Sequence, residues 1–356
     1  MSHEKKKIRS VVRRENAESY LLISLVAFGL TVILTRVGLQ LTGFPQLGTS
    51  VLHIAHAIWG GLLLFVAVLL PLAFANRWAI QASAWLSGIG IGLFIDEVGK
   101  FITQTNDYFF APALSLIYGF FLLNVFVYLY FRRPDQDDPR EAMYHALEGY
   151  QDALDGDLDT EEAARIEAQL AIAKQSNRGE IVSLANAISD ILLREKEHVK
   201  PAEPGFSKRF TLWVDDLGQR LGRRTHRTII SFILILWVIF VIGFVAVLVL
   251  ELPTIEYQVL QWRGVLTGIQ VVIGGLMILA LIAWLTRNER LGLQLSVYGF
   301  LFSLVALQTI YFYLSQFSAI TFTLLQLLIL QILFTYRRWY LQGSPSGALN
   351  DSRAGV

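Results

Sequence analysis

Eight runs of about twenty apolar residues set the terms on which this chain can fold. A bilayer core about 30 Å thick offers no water to backbone groups, so a crossing segment must satisfy its own N–H and C=O groups. Helices do this, and the runs at 20–41, 51–75, 79–102, 109–131, 228–250, 265–285, 291–314 and 317–335 are long enough to cross as helices. The pattern predicts an all-α polytopic membrane protein of eight transmembrane helices, four plus four, around a small cytoplasmic helical insert. The expected segments are a basic start at 1–19, four spans in 20–131, an insert at 132–227, four spans in 228–336 and a tail at 337–356.

Charge placement supports this division. Hydrophobic residues make up 54% of the 356 and mean hydropathy is +0.49, beyond what a soluble chain of ordinary patterning carries. Most acidic residues and half of the basic ones fall between Arg132 and Arg227. A net charge of +1 excludes a globally basic nucleic-acid binder. Zero cysteines exclude disulfides, thiolate metal sites and a cysteine nucleophile.

Lys and Arg also orient the spans. Lys5, Lys6, Lys7, Arg9, Arg13 and Arg14 precede the first, and alternate connections carry Arg77, then Arg132 and Arg133, then Arg223, Arg224 and Arg227, then Arg287 and Arg290. Arg337 and Arg338 follow the last. Under the positive-inside rule both termini and the insert are cytoplasmic, in a bacterial cytoplasmic membrane. The first apolar run exceeds the ~7–15 residues of a secretory signal core, so it is expected to be a retained helix.

The insert reads as short amphipathic helices. Ala142, Met143, Ala146, Leu147, Tyr150, Ala153 and Leu154 share one face; Ile181, Leu184, Ala185, Ile188, Ile191 and Leu192 form another apolar stripe, ended by Pro201 and Pro204. Between them Asp159, with Glu162 three residues on, predicts a capping box. Asp155, Asp157 and Asp159 resemble the start of a calcium loop, but Thr160 and Ile166 stand where an EF-hand needs Gly and Glu, so the turn reads as a solvated helix start. Phe206, Phe210, Trp213, Leu217 and Leu221 then recur at helical spacing among basic residues, as in a helix lying in the headgroup layer. The insert segment 134–201 is a candidate dock for a cytosolic protein.

Ionisable groups inside spans are costly and mark candidate sites. In the first half they are Arg36, His53, His56, Asp96, Glu97 and Lys100, with Asn106 and Asp107 just beyond. The topology places all of them in the outer leaflet. His53 and His56 share a helical face; Gly88, Gly92 and Asp96 fall at four-residue steps on span three, where small residues permit close backbone approach. Asp96 and Lys100 are spaced to pair, while Glu97 projects about 100° from Asp96 on a continuous helix. Both carboxylates lie near a helix C-terminus, whose dipole disfavours anions, so they need cationic partners.

Three readings of this group stand side by side. It can be paired, partly hydrated charge holding helices together. It can be a metal site, with His53, His56 and Glu97, and Asp96 or Asp107 beside them, as a donor set suited to zinc. It can be part of a proton- or ion-coupled path. The second half has no His, Asp or Glu within its apolar cores; Gln270, Gln294, Gln308, Thr309, Gln326 and Gln331 are expected to bond between helices.

The segment 92–103, GLFIDEVGKFIT, followed by Asn106, Asp107, Tyr108, Phe109 and Phe110, resembles the signature of an uncharacterised family of bacterial multipass membrane proteins. More distantly, the order His, Glu, then Asn/Asp over consecutive spans is similar to VanZ-like proteins, although their loop signature is absent. The zinc amidases of the alkaline-ceramidase superfamily are similar in span count, but their His pair in the last helix has no counterpart here. Walker A, Rossmann, nucleophile-elbow and HExxH motifs are also missing. The functional expectation is therefore an outer-leaflet polar site for a divalent ion, a lipid headgroup or a small polar solute. A membrane scaffold or sensor whose insert docks a partner, and a proton- or ion-coupled transporter, are the alternatives.

Overall fold

A computed structural model describes residues 11–43, 55–108, 110–132, 138–156, 158–195, 206–250 and 261–341, with side chains except at 152, 195, 206–221, 316 and 317. Among these residues the protein is all-α with no strand, and eight helices are long and apolar enough to cross a membrane. His53, Asp157, Pro201 and Pro204 lie outside the described residues, as do the side chains of the expected interfacial stripe from Phe206 to Leu221.

The chain divides into two compact units, Met1–Glu97 with Leu123–Gly205, and Val98–Leu122 with Phe206–Val356. The first contains α1 (Ala17–Thr42), α2 (His56–Ala73) and α3 (Arg77–Asp96). Helix α3 packs on both α1 and α2, and its glycines make this possible on two faces. A methyl group at Gly92 would stand 2.7 Å from the Thr31 Cβ of α1, and one at Gly88 would collide with the Ser24 carbonyl. On the other face Gly90 meets α2 at Gly60, where an added Cβ would lie 2.7 Å from the Gly90 carbonyl oxygen. The Gly88–Gly92 face therefore turns to span one, while span two is met by Gly90.

Pro71 stands inside α2. It cannot donate to the Ala67 carbonyl four residues earlier. The Ser83 hydroxyl of α3 donates to that carbonyl at 2.6 Å, supplying a bond that lipid cannot.

The short α4 (Val98–Ile102) leads to α5 (Ala111–Phe131). The insert follows as α6 (Pro139–Leu154), α7 (Thr160–Ala173) and α8 (Gly179–Glu195). Ala142, Met143, Ala146, Ile166, Leu170, Ala185, Ile188 and Leu192 form its core. Leu147, Leu154, Leu184 and Ile191, expected on the buried stripes, are exposed, because three short helices bury only a narrow seam. The predicted capping box is present: Asp159 accepts from the Glu161 and Glu162 N–H groups, and Glu162 accepts from the Asp159 N–H. The insert sits on its own unit's spans through Asn76–Asp155 at 2.8 Å and Arg77–Glu162 at 3.8 Å.

In the second unit, α9 (Phe206–Val249) runs from the expected interfacial helix into the fifth span through a non-helical Gly222, whose φ of 67° separates the two. The remaining spans are α10 (Arg263–Leu285), α11 (Glu289–Phe302) continued by a π-helical turn at Ser303–Leu307 and α12 (Gln308–Leu314), and α13 (Gln316–Tyr336) with a π-helical turn at Arg337–Leu341. Trp237, Met277, Trp284, Phe300 and Leu330 belong to their shared core. Gln270, Gln308 and Gln326 are buried as expected for helix-facing residues. The amides of Gln270 and Gln308 nonetheless make no hydrogen bond among the described residues.

Candidate functional site

The ends of α1, α2 and α3 farthest from the insert carry the charged group picked out in the sequence. Arg36, in the second turn from the end of α1, is 3% exposed, and Asp96 and Glu97 are fully buried. The Arg36 Nε donates to Asp96 Oδ1, and its Nη2 donates to the Asp96 backbone carbonyl at 3.1 Å. One guanidinium thus neutralises a carboxylate and also meets a carbonyl at the α3 C-terminus, where the helix dipole would otherwise oppose the anion.

Helix α3 ends at Asp96, and Glu97 has left helical geometry at φ −90° and ψ 9°. Rather than projecting about 100° away as on a continuous helix, Glu97 faces the same imidazole as Asp96. His56 Nε2 lies 3.1 Å from Asp96 Oδ2, and Nδ1 lies 3.3 Å from Glu97 Oε1.

Glu97 has a further role. Its Oε2 accepts from the Ala57 N–H at 3.3 Å, in the first turn of α2. The preceding residue, Ala55, has no side chain with which to cap that helix. A carboxylate from α3 therefore serves at the α2 N-terminus, where both the open N–H and the helix dipole favour an anion.

Arg36, His56, Asp96 and Glu97 form one cluster drawn from three helices. His56, with 23% of its side chain exposed, is its contact with the surface. The guanidinium pairs with one of the two carboxylates, and both imidazole nitrogens point at carboxylate oxygens. A neutral imidazole has one N–H, so both contacts are hydrogen bonds when one additional proton resides on the ring or on a carboxyl.

Lys100, Asn106 and Asp107 belong to the second unit. Because α3 stops at Asp96, no continuous helix carries the Asp96–Lys100 spacing; the Lys100 ammonium lies over the Tyr108 ring, 5.3 Å from its centre. Asn106 takes a left-handed φ of 53°, and the Thr103 hydroxyl accepts from the Asp107 N–H at 2.7 Å. This turn packs tightly, with the Asp107 carbonyl oxygen 2.7 Å from where a Cβ on Gly99 would stand. Among the described residues no three His, Asp or Glu side chains converge as metal ligands do. The imidazole instead lies between the carboxylates, one nitrogen towards each.

A second charged group escaped the sequence reading. Glu289, at the start of α11, accepts from Arg223 Nη2 and from the Tyr336 hydroxyl, each at 2.7 Å, with Arg227 at 3.7 Å. Tyr340 Oη lies 3.2 Å from His226 Nδ1. The arginines were legible only as topology signals, since their partner lies on a span distant in sequence. No protein-family model, curated protein or solved structure matches the chain.

Proposed function

We propose that this integral membrane protein is proton-responsive, and that the Arg36–His56–Asp96–Glu97 cluster is its titrating site. One observation carries the reading: an imidazole partly open to the surface stands between two buried carboxylates, one of which a guanidinium also engages. Proton exchange through His56 changes the charge held among buried groups, where desolvation is costly. Because the partners sit on α1, α2 and α3, that charge is felt as a change in how three helices pack. Positive-inside orientation puts the cluster on the outer side of a bacterial cytoplasmic membrane, so the proton comes from outside.

Among the ligands suggested by the sequence, the geometry favours a proton over a divalent ion. Asp96 is engaged by Arg36 and His56, and Glu97 by His56 and the α2 backbone, so a metal would have to displace existing bonds. The reading makes the protein a pH sensor or the proton-binding part of a coupled transporter, rather than a hydrolase.

Proton uptake by the purified protein during a pH titration tests this, with infrared detection of the carboxyl stretch. A single step that disappears in His56→Gln is expected. No step, or one unchanged in His56→Gln, would overturn the proposal.

A further inference from the structure

In the second unit, the turn between α10 and α11 holds a cavity of about 370 Å³ that the proton site does not use. Arg223, Arg287, Glu289 and Arg290 line it, with Tyr340 and Leu341 from the end of the last span. Three arginines thus face one carboxylate, and that carboxylate is already engaged. Glu289 accepts from Arg223 and Tyr336, with Arg227 beside it. Arg287 and Arg290 have no ion pair or side-chain hydrogen bond among the described residues, so the cavity carries excess positive charge.

The backbone adds a second observation. Arg287 takes a left-handed φ of 63°, a conformation that suits glycine and strains an arginine. The next residue, Asn288, is occupied as a helix cap, accepting from the Leu291 N–H. A bulky cation kept in a costly conformation at a cavity wall points to use of its side chain.

The surroundings identify the ligand class. Leu285 ends one membrane-spanning helix and Glu289 begins the next, so Arg287 and Arg290 stand at the membrane surface. A second cavity of about 330 Å³ adjoins the first, sharing Arg290 and Leu341 as walls. It runs along α11 past Leu293, Val297 and Tyr298, on successive turns within the span. Both volumes fall within the ~300–1,000 Å³ of ligand pockets. A soluble phosphate would use the cationic chamber and gain nothing from the apolar one. A phospholipid suits both, with phosphate oxygens on the guanidinium edges and acyl carbons against Val297 and Tyr298. We propose that Arg287 and Arg290 bind the phosphate headgroup of an anionic phospholipid whose upper acyl chain lies in the groove along α11. Basic pockets between spans at the membrane surface suit that chemistry.

The test uses full-length protein in neutral detergent, with thermal stability followed while phosphatidylglycerol, phosphatidylcholine or inorganic phosphate is added. Saturable stabilisation by phosphatidylglycerol alone is expected. Apparent affinity should fall about thirtyfold in the Arg287→Gln, Arg290→Gln double variant, at about 1 kcal/mol per arginine. Val297→Trp, which fills the groove with the cations intact, should also weaken binding. The Arg178→Gln, Arg194→Gln variant removes the same charge from the insert and should bind as the unaltered protein does. No response to phosphatidylglycerol would overturn the proposal, as would equal stabilisation by phosphatidylcholine or a phosphate response matching the lipid's. So would an affinity that falls equally in the insert variant, or one retained by either the Arg287, Arg290 double variant or Val297→Trp.

Discussion

The Arg36–Asp96 pair shows how differently a charge behaves when its partner is removed and when both go. Each side chain is almost wholly buried, so truncating one strips the other of its ion-pair partner out of water. Arg36→Leu or Asp96→Leu alone should cost about 3–5 kcal/mol, whereas the double Leu variant should recover most of that loss. Unfolding in mixed detergent micelles measures all three, and additive losses in the double variant would show the residues to be uncoupled. Arg36 was visible in the sequence as a charge in an apolar run. Its choice of Asp96 was not, because sixty residues separate them and Lys100 offered a nearer partner.

At the scale of helices, close approach rather than charge brings the cluster together. Gly60 and Gly61 are neighbours on α2 with opposite surroundings: a Cβ at Gly60 meets the backbone of α3, while one at Gly61 meets nothing within 4 Å. Gly60→Ala should force α2 and α3 apart at a cost of about 1–3 kcal/mol. Gly61→Ala should be neutral or stabilising by up to about 1 kcal/mol, since alanine is the better helix former. Thermal melts of the two variants give the comparison, and similar melts would contradict the packing described. The four-residue glycine spacing signalled a close contact on α3. Which helix would fill each face depended on Gly90, whose place opposite Gly60 no spacing within one helix reveals.

Across the first unit, the segment before α1 ties insert to spans, with Arg14 paired to Glu148 at 3.2 Å and the Glu15 N–H donating to Glu148 at 3.2 Å, and Glu15 makes that tie pH-dependent. Burial raises its carboxyl above the ordinary 4.5, with Arg77, Arg165 and His145 pulling the other way, and its Oε2 finds no hydrogen bond among the described residues. A group whose pKa is higher in the folded chain contributes stability that is present below its unfolded value and lost as pH rises through the folded one. Melting temperature should therefore fall as pH climbs from 4.5 towards neutrality, and Glu15→Gln should flatten that part of the profile. An unchanged slope in the variant would remove Glu15 as its source.

Hydrophobic run length by itself determined that this protein is helical and membrane-spanning, because a bilayer leaves the backbone no other way to satisfy its hydrogen bonds. The Asp159–Glu162 cap was equally readable, being made by residues three apart. Tertiary structure alone decided that Asp96 and Glu97 share one imidazole, since that required α3 to end between them and α2 to begin beside them. It also decided that Glu289 gathers arginines from another span. Local patterns report what neighbours along the chain can do, whereas the position of a proton or an ion pair depends on side chains that only folding brings within reach.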